Sequence, residues 1–257
     1  MIRLFRSIAS WRTHRRRALL KGGRLGFVPT MGALHEGHLS LVRRSRSEND
    51  ATLVSVFVNP TQFDDPKDMA KYPRRLEADI KMLESAGADY VLAPEASEMY
   101  PDGFRYRVQE REMSLLLCGA HRPGHFEGML SVVLRLLNLA QADRAYFGEK
   151  DYQQFLLVKG MADAFFLRTE IVACPIVREA DGLAMSSRNA LLAPQERKLA
   201  PEFARLLSSA RKPREIEARL KKLGFQVDYV EERWNRRFGA VRIGKVRLID
   251  NVEIPKS

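Results

Sequence analysis

The sequence predicts an α/β protein with a Rossmann-like, doubly wound parallel sheet and a small α+β C-terminal domain. Residues 25–28 and 52–58 are continuous apolar runs without polar alternation, which is typical of strands buried on both faces. These runs alternate with helix-length amphipathic stretches, and such β-α-β alternation favours a parallel sheet with helices on both sides. After Pro194, two helical stretches are followed by short strands, which predicts the smaller second domain.

Length and composition are those of a globular chain rather than a disordered or membrane-spanning one. The 257 residues are 45% hydrophobic and 29% charged. No apolar run approaches the roughly 20 residues that cross a bilayer, so we expect no membrane partner and a cytoplasmic protein. Cys118 and Cys174 stand in apolar surroundings without metal-ligand spacing, and we expect buried thiols in a reducing compartment.

The net charge of +11 is concentrated at the two ends of the chain. Residues 1–27 hold eight Lys or Arg and no acid, and residues 195–257 hold sixteen basic against nine acidic side chains, so the centre is net acidic. This distribution argues against a central nucleic-acid cleft, and we expect no nucleic-acid partner. The rival interpretation, a basic nucleic-acid-binding protein, predicts an affinity that falls steeply with salt. The basic ends can also attract an anionic substrate such as ATP.

The Arg-rich N-terminus has the composition of a transit peptide. Leu4, Ile8 and Trp11 recur at helical spacing, however, and favour a solvated amphipathic first helix.

The remaining elements are predicted from periodicity and from Gly and Pro boundaries. We expect strands at 25–28, 52–58, 90–93, 144–147, 171–177, 226–230 and 246–249, and an edge strand at 106–108. We expect helices at 39–49, 76–86, 129–139, from 153 onward, 195–208 and 214–223, and an acidic, Pro-containing loop after Phe63. The apolar run 129–139 predicts a fully buried helix, packed in the core or against a partner subunit.

The segment 26–42, GFVPTMGALHEGHLSLV, is the candidate functional centre. Pro29 and Gly32 break the first strand, and His35 and His38 stand at the entrance of the following helix. A helix N-terminus presents unpaired N–H groups and the positive end of a dipole, so it attracts phosphate. Two imidazoles three residues apart share one face and can donate to the same anion. The segment therefore predicts a nucleotide-phosphate site.

Other interpretations of the two histidines are a metal pair or two surface side chains. The sequence His35-Glu36-Gly37-His38 does not match the zinc-protease pattern H-E-x-x-H, and no third ligand cluster is evident. The strand before and the helix after the motif are the context that the phosphate interpretation requires.

Polar loops also follow other predicted strands, at the sheet edge where open parallel sheets bind ligands. These loops are residues 59–63, residues 148–151 and residues 182–188. The last one, GLAMSSR, offers backbone N–H groups, two hydroxyls and a guanidinium that can wrap phosphates. An ordinary turn with a helix cap is the alternative.

Seven segments, taken in this order, closely resemble the pantothenate synthetase family: PTMGALHEGHLSLV, VFVNPTQF, YPRRLEAD, RPGHFEG, YFGEKDYQQ, DGLAMSSRN and RLIDN. The resemblance covers residues 24–194 and returns at 247–251, whereas the segment between them is shorter than the family's usual C-terminal domain and matches it poorly. It implies a nucleotide- and pantoate-binding domain at 1–193 and a shortened lid domain at 194–257.

That family belongs with the nucleotidylyl transferases and class I aminoacyl-tRNA synthetases, and it joins pantoate to β-alanine with ATP. The resemblance implies that the pantoate carboxylate attacks the α-phosphorus and expels pyrophosphate, after which the β-alanine amine displaces AMP. Such a displacement needs positioning and charge neutralisation more than covalent help. A single-step nucleotidylyl transferase is the rival enzyme, and it would need neither pantoate-binding amides nor an amine pocket.

The resemblance also implies the roles of individual residues. The implied catalytic residues are His38, His35, Lys150 and Arg188. The implied ATP-binding residues are Met31, Gly32, His35, His38, Gly148, Lys150, Asp151, Val177, Met185, Ser186, Ser187 and Arg188. Gln62 and Gln154 match the family's pantoate glutamines, beside Thr30 and Met31, and taken alone either glutamine would be a surface polar residue.

Neutral amides suit that role because they orient a carboxylate without a strong ion pair. Arg122 and His125 are expected as neighbours of the phosphates or of the amine. Mg²⁺ is expected on the ATP phosphates. Asp79 either reaches this ion through water or lies on a solvated helix face. A homodimer is implied as well.

Overall fold

The computed structural model describes residues 2–19, 22–63, 69, 70 and 72–254. In chain order, its strands are β1 (Arg3–Phe5), β2 (Leu25–Thr30), β3 (Ala51–Val56), β4 (Tyr90–Leu92), β5 (Arg144–Gly148), β6 (Glu170–Cys174), β7 (Gln226–Arg233), β8 (Arg236–Ile243) and β9 (Val246–Glu253). Its helices are α1 (Ile8–Leu19), α2 (Glu36–Glu48), α3 (Leu76–Ser85), α4 (Ala96–Met99), α5 (Cys118–His121), α6 (His125–Ala140), α7 (Tyr152–Ala164), α8 (Pro194–Leu199), α9 (Pro201–Leu207) and α10 (Pro213–Lys222). Short 3₁₀ helices span Pro60–Gln62, Met113–Leu115, Glu149–Asp151 and Ser187–Leu191.

The predicted parallel sheet is confirmed. In the described part of the chain, six parallel strands lie in the order β1-β4-β3-β2-β5-β6. The chain runs from β2 outward to β3 and β4, and it then returns to the other side of β2 with β5 and β6. The boundary between β2 and β5 is therefore the switch point at which such sheets bind ligands, beyond the carboxyl ends of the strands.

The unbroken apolar runs are explained by the burial of both sheet faces. Phe27 and Leu53 belong to one core, together with α6 and α7. Their neighbours Val28 and Val54 point to the opposite face, where they join the core built with α2 and α3. Successive strand residues alternate between faces, so a sheet covered on both sides does not show a regular alternation of apolar and polar residues.

The helix predicted at 129–139 is observed as α6, and it is buried within its own chain. Eleven of its residues, Phe126, Gly128–Val133, Leu136, Leu137, Leu139 and Ala140, are buried. The helix packs in the core of the parallel sheet, so its burial does not require the partner subunit that we considered.

The first helix is confirmed as α1, with two corrections. Leu4 lies in β1 and not in the helix, because residues 3–5 pair with β4 at the sheet edge. The helix is also less solvated than expected. Trp11 is 1% exposed and donates to the carbonyl of Leu139, and Arg15 donates to that of Ala140, so both satisfy the last carbonyls of α6.

Several predicted bounds are wrong. Pro29 does not end the first strand, because β2 continues through it to Thr30. Three other differences have identifiable reasons. Residues 106–108 form no strand, because the carbonyl of Tyr106 and the N–H of Val108 bond to side chains of α6. Strand β6 ends at Cys174, where Pro175 stops the ladder. The helix expected at 195–208 is divided at Pro201 into α8 and α9. The acidic loop after Phe63 falls mostly on residues 64–68, which lie outside the described residues.

The α+β C-terminal region is confirmed, and it contains a strand that we did not predict. β7, β8 and β9 form an antiparallel sheet whose inner face packs on α9 and α10. The missed strand is β8, because its arginines hide the apolar alternation. Gly239 of β8 lies under Phe203, where a β-carbon would stand 2.8 Å from the ring. Among the described residues, no helix is both long and apolar enough to cross a membrane.

Candidate active site

A cleft of about 950 Å³ lies between the carboxyl ends of the parallel strands and the C-terminal sheet. Its walls include the turn between β2 and α2, residues 148–154 after β5 and the loop 175–191, together with parts of 57–63 and 118–136 and the hairpin joining β8 to β9. The sequence placed the first three at one sheet edge, and the structure brings them together.

The turn after β2 is held by a buried carboxylate. Gly32 and Ala33 have φ of 79° and 50°, a conformation that reverses the chain after the strand. The backbone N–H groups of Ala33 and Leu34 donate to the two oxygens of Asp79 at 3.0 and 2.9 Å. Asp79 is only 2% exposed, so the solvated helix face that we considered for it is wrong.

Gly32 and Thr30 serve the same turn. A β-carbon at Gly32 would stand 2.9 Å from an Asp79 oxygen, so glycine allows the carboxylate to approach. The Thr30 hydroxyl donates to the carbonyl of Ser55 at 2.7 Å and accepts from the N–H of Gly32. Thr30 lines the cleft, but these two bonds engage its hydroxyl within the protein.

The two histidines form a pair at the start of α2. Their ring centroids are 4.1 Å apart, and the backbone N–H of His35 donates to Nδ1 of the His38 ring at 3.4 Å. Because Nδ1 of His38 accepts, a neutral ring carries its proton on Nε2 and can donate it elsewhere. Nδ1 of His35 is buried, and no partner for it lies among the described residues.

The surroundings keep both rings uncharged at neutral pH. Burial, followed by the positive charge of Lys150, lowers the pKa of His35 to about 4. Burial, followed by His35 and Lys150, lowers the pKa of His38 to about 3. A bound polyanion such as a phosphate chain would raise the pKa of both rings. The site therefore favours hydrogen bonds from the histidines to a phosphate.

The glycine inside the histidine motif has a steric reason. A β-carbon at Gly37 would lie 2.9 Å from Cε1 of His35 and 3.7 Å from the β-carbon of Met185. Any larger residue would therefore displace the His35 ring and narrow the cleft between the first turn and the loop 175–191.

Gln62 is fixed by four neighbours. Its side-chain oxygen accepts from Asn59 at 3.0 Å, and its amide nitrogen lies 3.0 Å from the sulfur of Met31. Its backbone carbonyl accepts from Nδ1 of His125 at 2.8 Å and from Arg122 at 3.3 Å. Arg122 and His125 thus support the Gln62 segment from the edge of the cleft, and Asn59, which we did not single out, orients its amide.

The segment after β5 brings a cation and an amide to the cleft. Nζ of Lys150 lies 3.8 Å from a carboxylate oxygen of Asp151. Gln154 lines the cleft one helical residue after Gln153. The side chain of Gln153 is buried and bonds to the backbone of Met113, Leu116 and Cys118. Its amide therefore holds the protein together.

Of the two interpretations that we gave for residues 182–188, the structure tests only the helix cap, and the phosphate interpretation stays a prediction. Ser186 caps the 3₁₀ helix by accepting from the N–H of Arg188 at 3.2 Å, so the helix-cap alternative is confirmed for this hydroxyl. The loop lines the cleft nevertheless. The Met185 N–H donates to the carbonyl of Val177 at 3.0 Å, which sets these two residues side by side.

The described C-terminal strands supply cations that sequence analysis did not identify individually. Arg242, Lys245 and Arg247 line the cleft opposite the first turn. Arg247 pairs with Asp228 at 2.7 Å and lies 3.7 Å from the sulfur of Cys118. Cys118 is half-buried and lines the cleft, which corrects the expectation of a core thiol, whereas Cys174 is buried as predicted.

Most of the predicted site residues line this one cleft. They are Thr30, Met31, His35, His38, Gln62, Arg122, His125, Gly148, Lys150, Asp151, Gln154, Val177, Met185, Ser186, Ser187 and Arg188. Gly32 and Asp79 do not line it and support the turn from behind. Tyr72, missed as a site residue although it lies in a family-like segment, also lines the cleft, and burial raises its pKa.

The described residues offer no group of three or more His, Cys, Asp or Glu that could hold a metal ion. Both oxygens of Asp79 accept backbone N–H groups. We therefore assign this carboxylate to the turn.

A family model described as pantoate-beta-alanine ligase matches residues 3–253. Among curated protein sequences, the pantothenate synthetase of Bdellovibrio bacteriovorus is 50% identical over 254 residues, covering 99% of this chain and 100% of the relative. That of Legionella pneumophila is 48% identical over 250 residues, covering 97% and 99%. A C-terminal segment of this length is therefore shared with these relatives.

Solved structures give the same result. The pantoate-beta-alanine ligase of Francisella tularensis, crystallised with beta-gamma ATP and beta-alanine, superposes with a TM-score of 0.94 at 41% identity over 98% of both chains. The pantothenate synthetase of Thermus thermophilus superposes with a TM-score of 0.90 at 44% identity, covering 98% of this chain and 99% of that one.

Proposed function

The chain belongs to the pantoate-beta-alanine ligase family, and we propose that it makes pantothenate in two chemical steps within this cleft. In the first step, a pantoate carboxylate oxygen bonds to the α-phosphorus of ATP while the bond to the β-phosphate oxygen breaks, releasing pyrophosphate. In the second, the β-alanine nitrogen bonds to the acyl carbon, the acyl–phosphate oxygen bond breaks, and AMP leaves. The amine releases its protons to solvent.

The observation that carries the proposal is the contacting histidine pair at the start of α2, in the same cleft as Lys150. In the first step, negative charge shifts onto the α-phosphate and the departing pyrophosphate. Nε2–H of His38 can donate to this charge, and Nδ1 of His35 is a buried group without a partner in the described chain. Donors that are fixed before the reaction stabilise the transition state without a reorganisation cost.

ATP would lie along the boundary of β2 and β5, with its phosphates toward the histidines. Lys150, Arg188, Ser186 and Ser187 would hold the β- and γ-phosphates. Asp151 would accept from a ribose hydroxyl. The backbone at Met31, Gly32, Gly148, Val177 and Met185 would frame the nucleotide. Support for this placement comes from the cleft, which all of these residues except Gly32 line at the carboxyl ends of neighbouring strands.

Pantoate would bind between Gln62 and Gln154, beside Thr30 and Met31. An amide that is itself held by Asn59 presents its N–H at a defined angle, so it can aim the carboxylate along the line of attack. Because the amide is neutral, it leaves the carboxylate nucleophilic.

Mg²⁺ would arrive with ATP, bound to the phosphate oxygens and water, and it would neutralise phosphate charge. Asp79 does not suit direct coordination, since its oxygens already accept two backbone N–H groups. No step above is assigned to a protein-bound ion.

The domain assignment is part of the proposal. Residues 1–193 would bind nucleotide and pantoate, and residues 194–257 would act as the lid that excludes water from the reactive adenylate. Separate apolar cores around the two sheets support this division. We also propose a homodimer, for which exposed Tyr106 and Leu115 offer apolar surface, and a cytoplasmic location, in keeping with two free cysteines.

Product analysis with ATP, pantoate and β-alanine tests the proposal. We expect AMP, pyrophosphate and pantothenate in equal amounts, with no product if pantoate is omitted. Formation of ADP and phosphate would contradict an adenylate. Transfer of AMP to a phosphate acceptor in place of pantoate would favour the single-step nucleotidylyl transferase.

A further inference from the structure

We propose that Asn251, a buried residue of β9 that does not line the cleft, is a positioning residue for Lys150. The inference rests on the proposed role of Lys150 at the ATP phosphates. It concerns how a side chain of the C-terminal sheet fixes the segment that carries this lysine.

The contact is direct and two-pronged. The side-chain nitrogen of Asn251 donates to the backbone carbonyl of Glu149 at 2.8 Å and to that of Lys150 at 3.0 Å. Asn251 is 1% exposed, so water cannot replace these bonds easily. One amide group thus uses both of its hydrogens on two successive carbonyls of the lysine segment.

The orientation of the amide follows from its partners. Arg236 can only donate, and it donates to the oxygen of Asn251 at 2.8 Å. Carbonyls can only accept, so the amide nitrogen must face Glu149 and Lys150. The Asn251 backbone is fixed as well, because its N–H donates to the carboxylate of Asp250 at 2.8 Å.

A second bond from the same sheet supports the same segment. Arg236 pairs with the carboxylate of Glu149 at 2.9 Å, and its guanidinium stacks 4.2 Å above the ring of Tyr152. Asn251 therefore belongs to a buried polar network that contacts Glu149 before Lys150 and Tyr152 after it. The lysine side chain extends from this fixed backbone into the cleft.

The geometry predicts a specific loss when the amide donors are removed. The 3₁₀ turn Glu149–Asp151 is only three residues long, and no side chain caps its start. Two released carbonyls would let it rotate, and Nζ of Lys150 would move relative to the phosphates. A displacement of about 1 Å can cost on the order of a hundredfold in rate.

Asn251→Asp is the sharpest test. The carboxylate keeps the shape of the side chain and the bond from Arg236, but it has no donor for the two carbonyls. We expect pyrophosphate formation to slow by about tenfold or more and the KM for ATP to rise, while the KM for pantoate stays within about twofold. Asn251→Ala should be milder, since it brings no negative charge against the carbonyls.

Arg237→Gln is the matched control. Arg237 lies on β8 beside Arg236, is also buried, and bonds to Glu232 and the carbonyls of Leu207 and Ser209. If the C-terminal sheet acts only through its general stability, this variant should also slow pyrophosphate formation and raise the KM for ATP. We expect a lower melting temperature with unchanged kinetic constants for ATP.

A double-mutant cycle isolates the link to Lys150. In a Lys150→Ala background, Asn251→Asp should cause no further loss of ATP affinity or rate, because the group that it positions is absent. Full additivity, or an equal rise of both KM values in Asn251→Asp, would overturn the inference. If the unmutated protein makes no pantothenate, the proposed function fails. If the unmutated protein is active and Asn251→Asp has normal kinetic constants, only the present inference fails.

Discussion

Two of the segments that we propose to face the ATP phosphates are held by different parts of the molecule. Residues 30–38 are fixed from within the parallel sheet, where Thr30 bonds to β3 and Asp79 of α3 accepts two N–H groups of the turn. Residues 177–191 depend on the C-terminal region. Arg178 makes a two-pronged ion pair with Asp250 of β9, and Leu183 packs in the core of that region.

The difference separates two tasks. The histidines that we propose to act at the reacting phosphorus follow the central strand β2, so they are in place whenever the sheet is folded. The loop that we propose to enclose the phosphates depends on contacts with β9, so its position can follow that of the C-terminal region. We therefore expect damage to the first segment to affect chemistry, and damage to the second to affect mainly ATP binding.

The largest effect is expected from His38→Ala. The substitution removes a fixed donor, and we expect pyrophosphate formation to fall by about a hundredfold or more, with a smaller loss of ATP affinity. Single-turnover kinetics and calorimetric titration separate the two. His38→Gln keeps a donor and should recover part of the rate. If the rate of pyrophosphate formation falls only by the same factor as the ATP affinity, His38 binds ATP without a separate role in the chemical step.

Asp79→Ala tests whether the sheet itself organises the first turn. Two N–H groups would lose their acceptor, so we expect the free energy of unfolding to drop by about 2–4 kcal/mol. Pyrophosphate formation should also slow by about tenfold, because the histidines follow the turn. Glu77→Ala, on the exposed side of the same helix, is the control for urea unfolding and rate. A stable Asp79→Ala variant with a normal rate would refute this account of the turn.

Gln62→Ala extends the comparison to the second substrate. Gln62 is also held by the parallel-sheet region, but its proposed ligand is pantoate. We expect the Kd for pantoate to rise by about tenfold and that for ATP to stay within twofold. Calorimetric titration with each substrate measures both constants. An equal loss for the two substrates would count against the assignment.

Asp250→Asn should have the smallest effect and the opposite selectivity. The new amide would place a donor against the Arg178 guanidinium and loosen the loop 175–191. We expect the KM for ATP to rise by about three- to tenfold, with little change for pantoate. Glu232→Gln, which disturbs an ion pair within the C-terminal sheet, is the control. A rise in the KM for pantoate with an unchanged KM for ATP would contradict the proposed link between β9 and ATP binding.

Much of the parallel sheet could be predicted from the sequence because its signals are local. Phe27, Val28, Leu53 and Val54 mark strands without reference to any neighbour. The short strand β1 could not be predicted in this way, because its pairing with β4 is set by residues almost ninety positions away. Strand β8 was missed because arginines occupy its sequence, although Trp234 and Asn235, both with positive φ, form the tight turn that begins it.

The same distinction applies to the site. His35, His38 and Lys150 stand in recognisable segments at strand ends, and the family resemblance identified them. Asn59, Arg242 and Lys245 were not singled out, because their place beside the cleft depends on tertiary packing. Asp79 was assigned to a cation or to solvent, since a sequence does not show that a helix side chain reaches across to a turn 46 residues earlier.

A rapid-quench count of pyrophosphate, made with ATP and pantoate but without β-alanine, tests the central claim most directly. If an adenylate forms first and the closed cleft protects it from water, pyrophosphate should appear in a burst close to one equivalent per active site and then nearly stop. The addition of β-alanine should restart turnover and release pantothenate. Absence of any burst until β-alanine is present would contradict the two-step reaction, and unlimited turnover without the amine would show that the C-terminal lid does not seal the site.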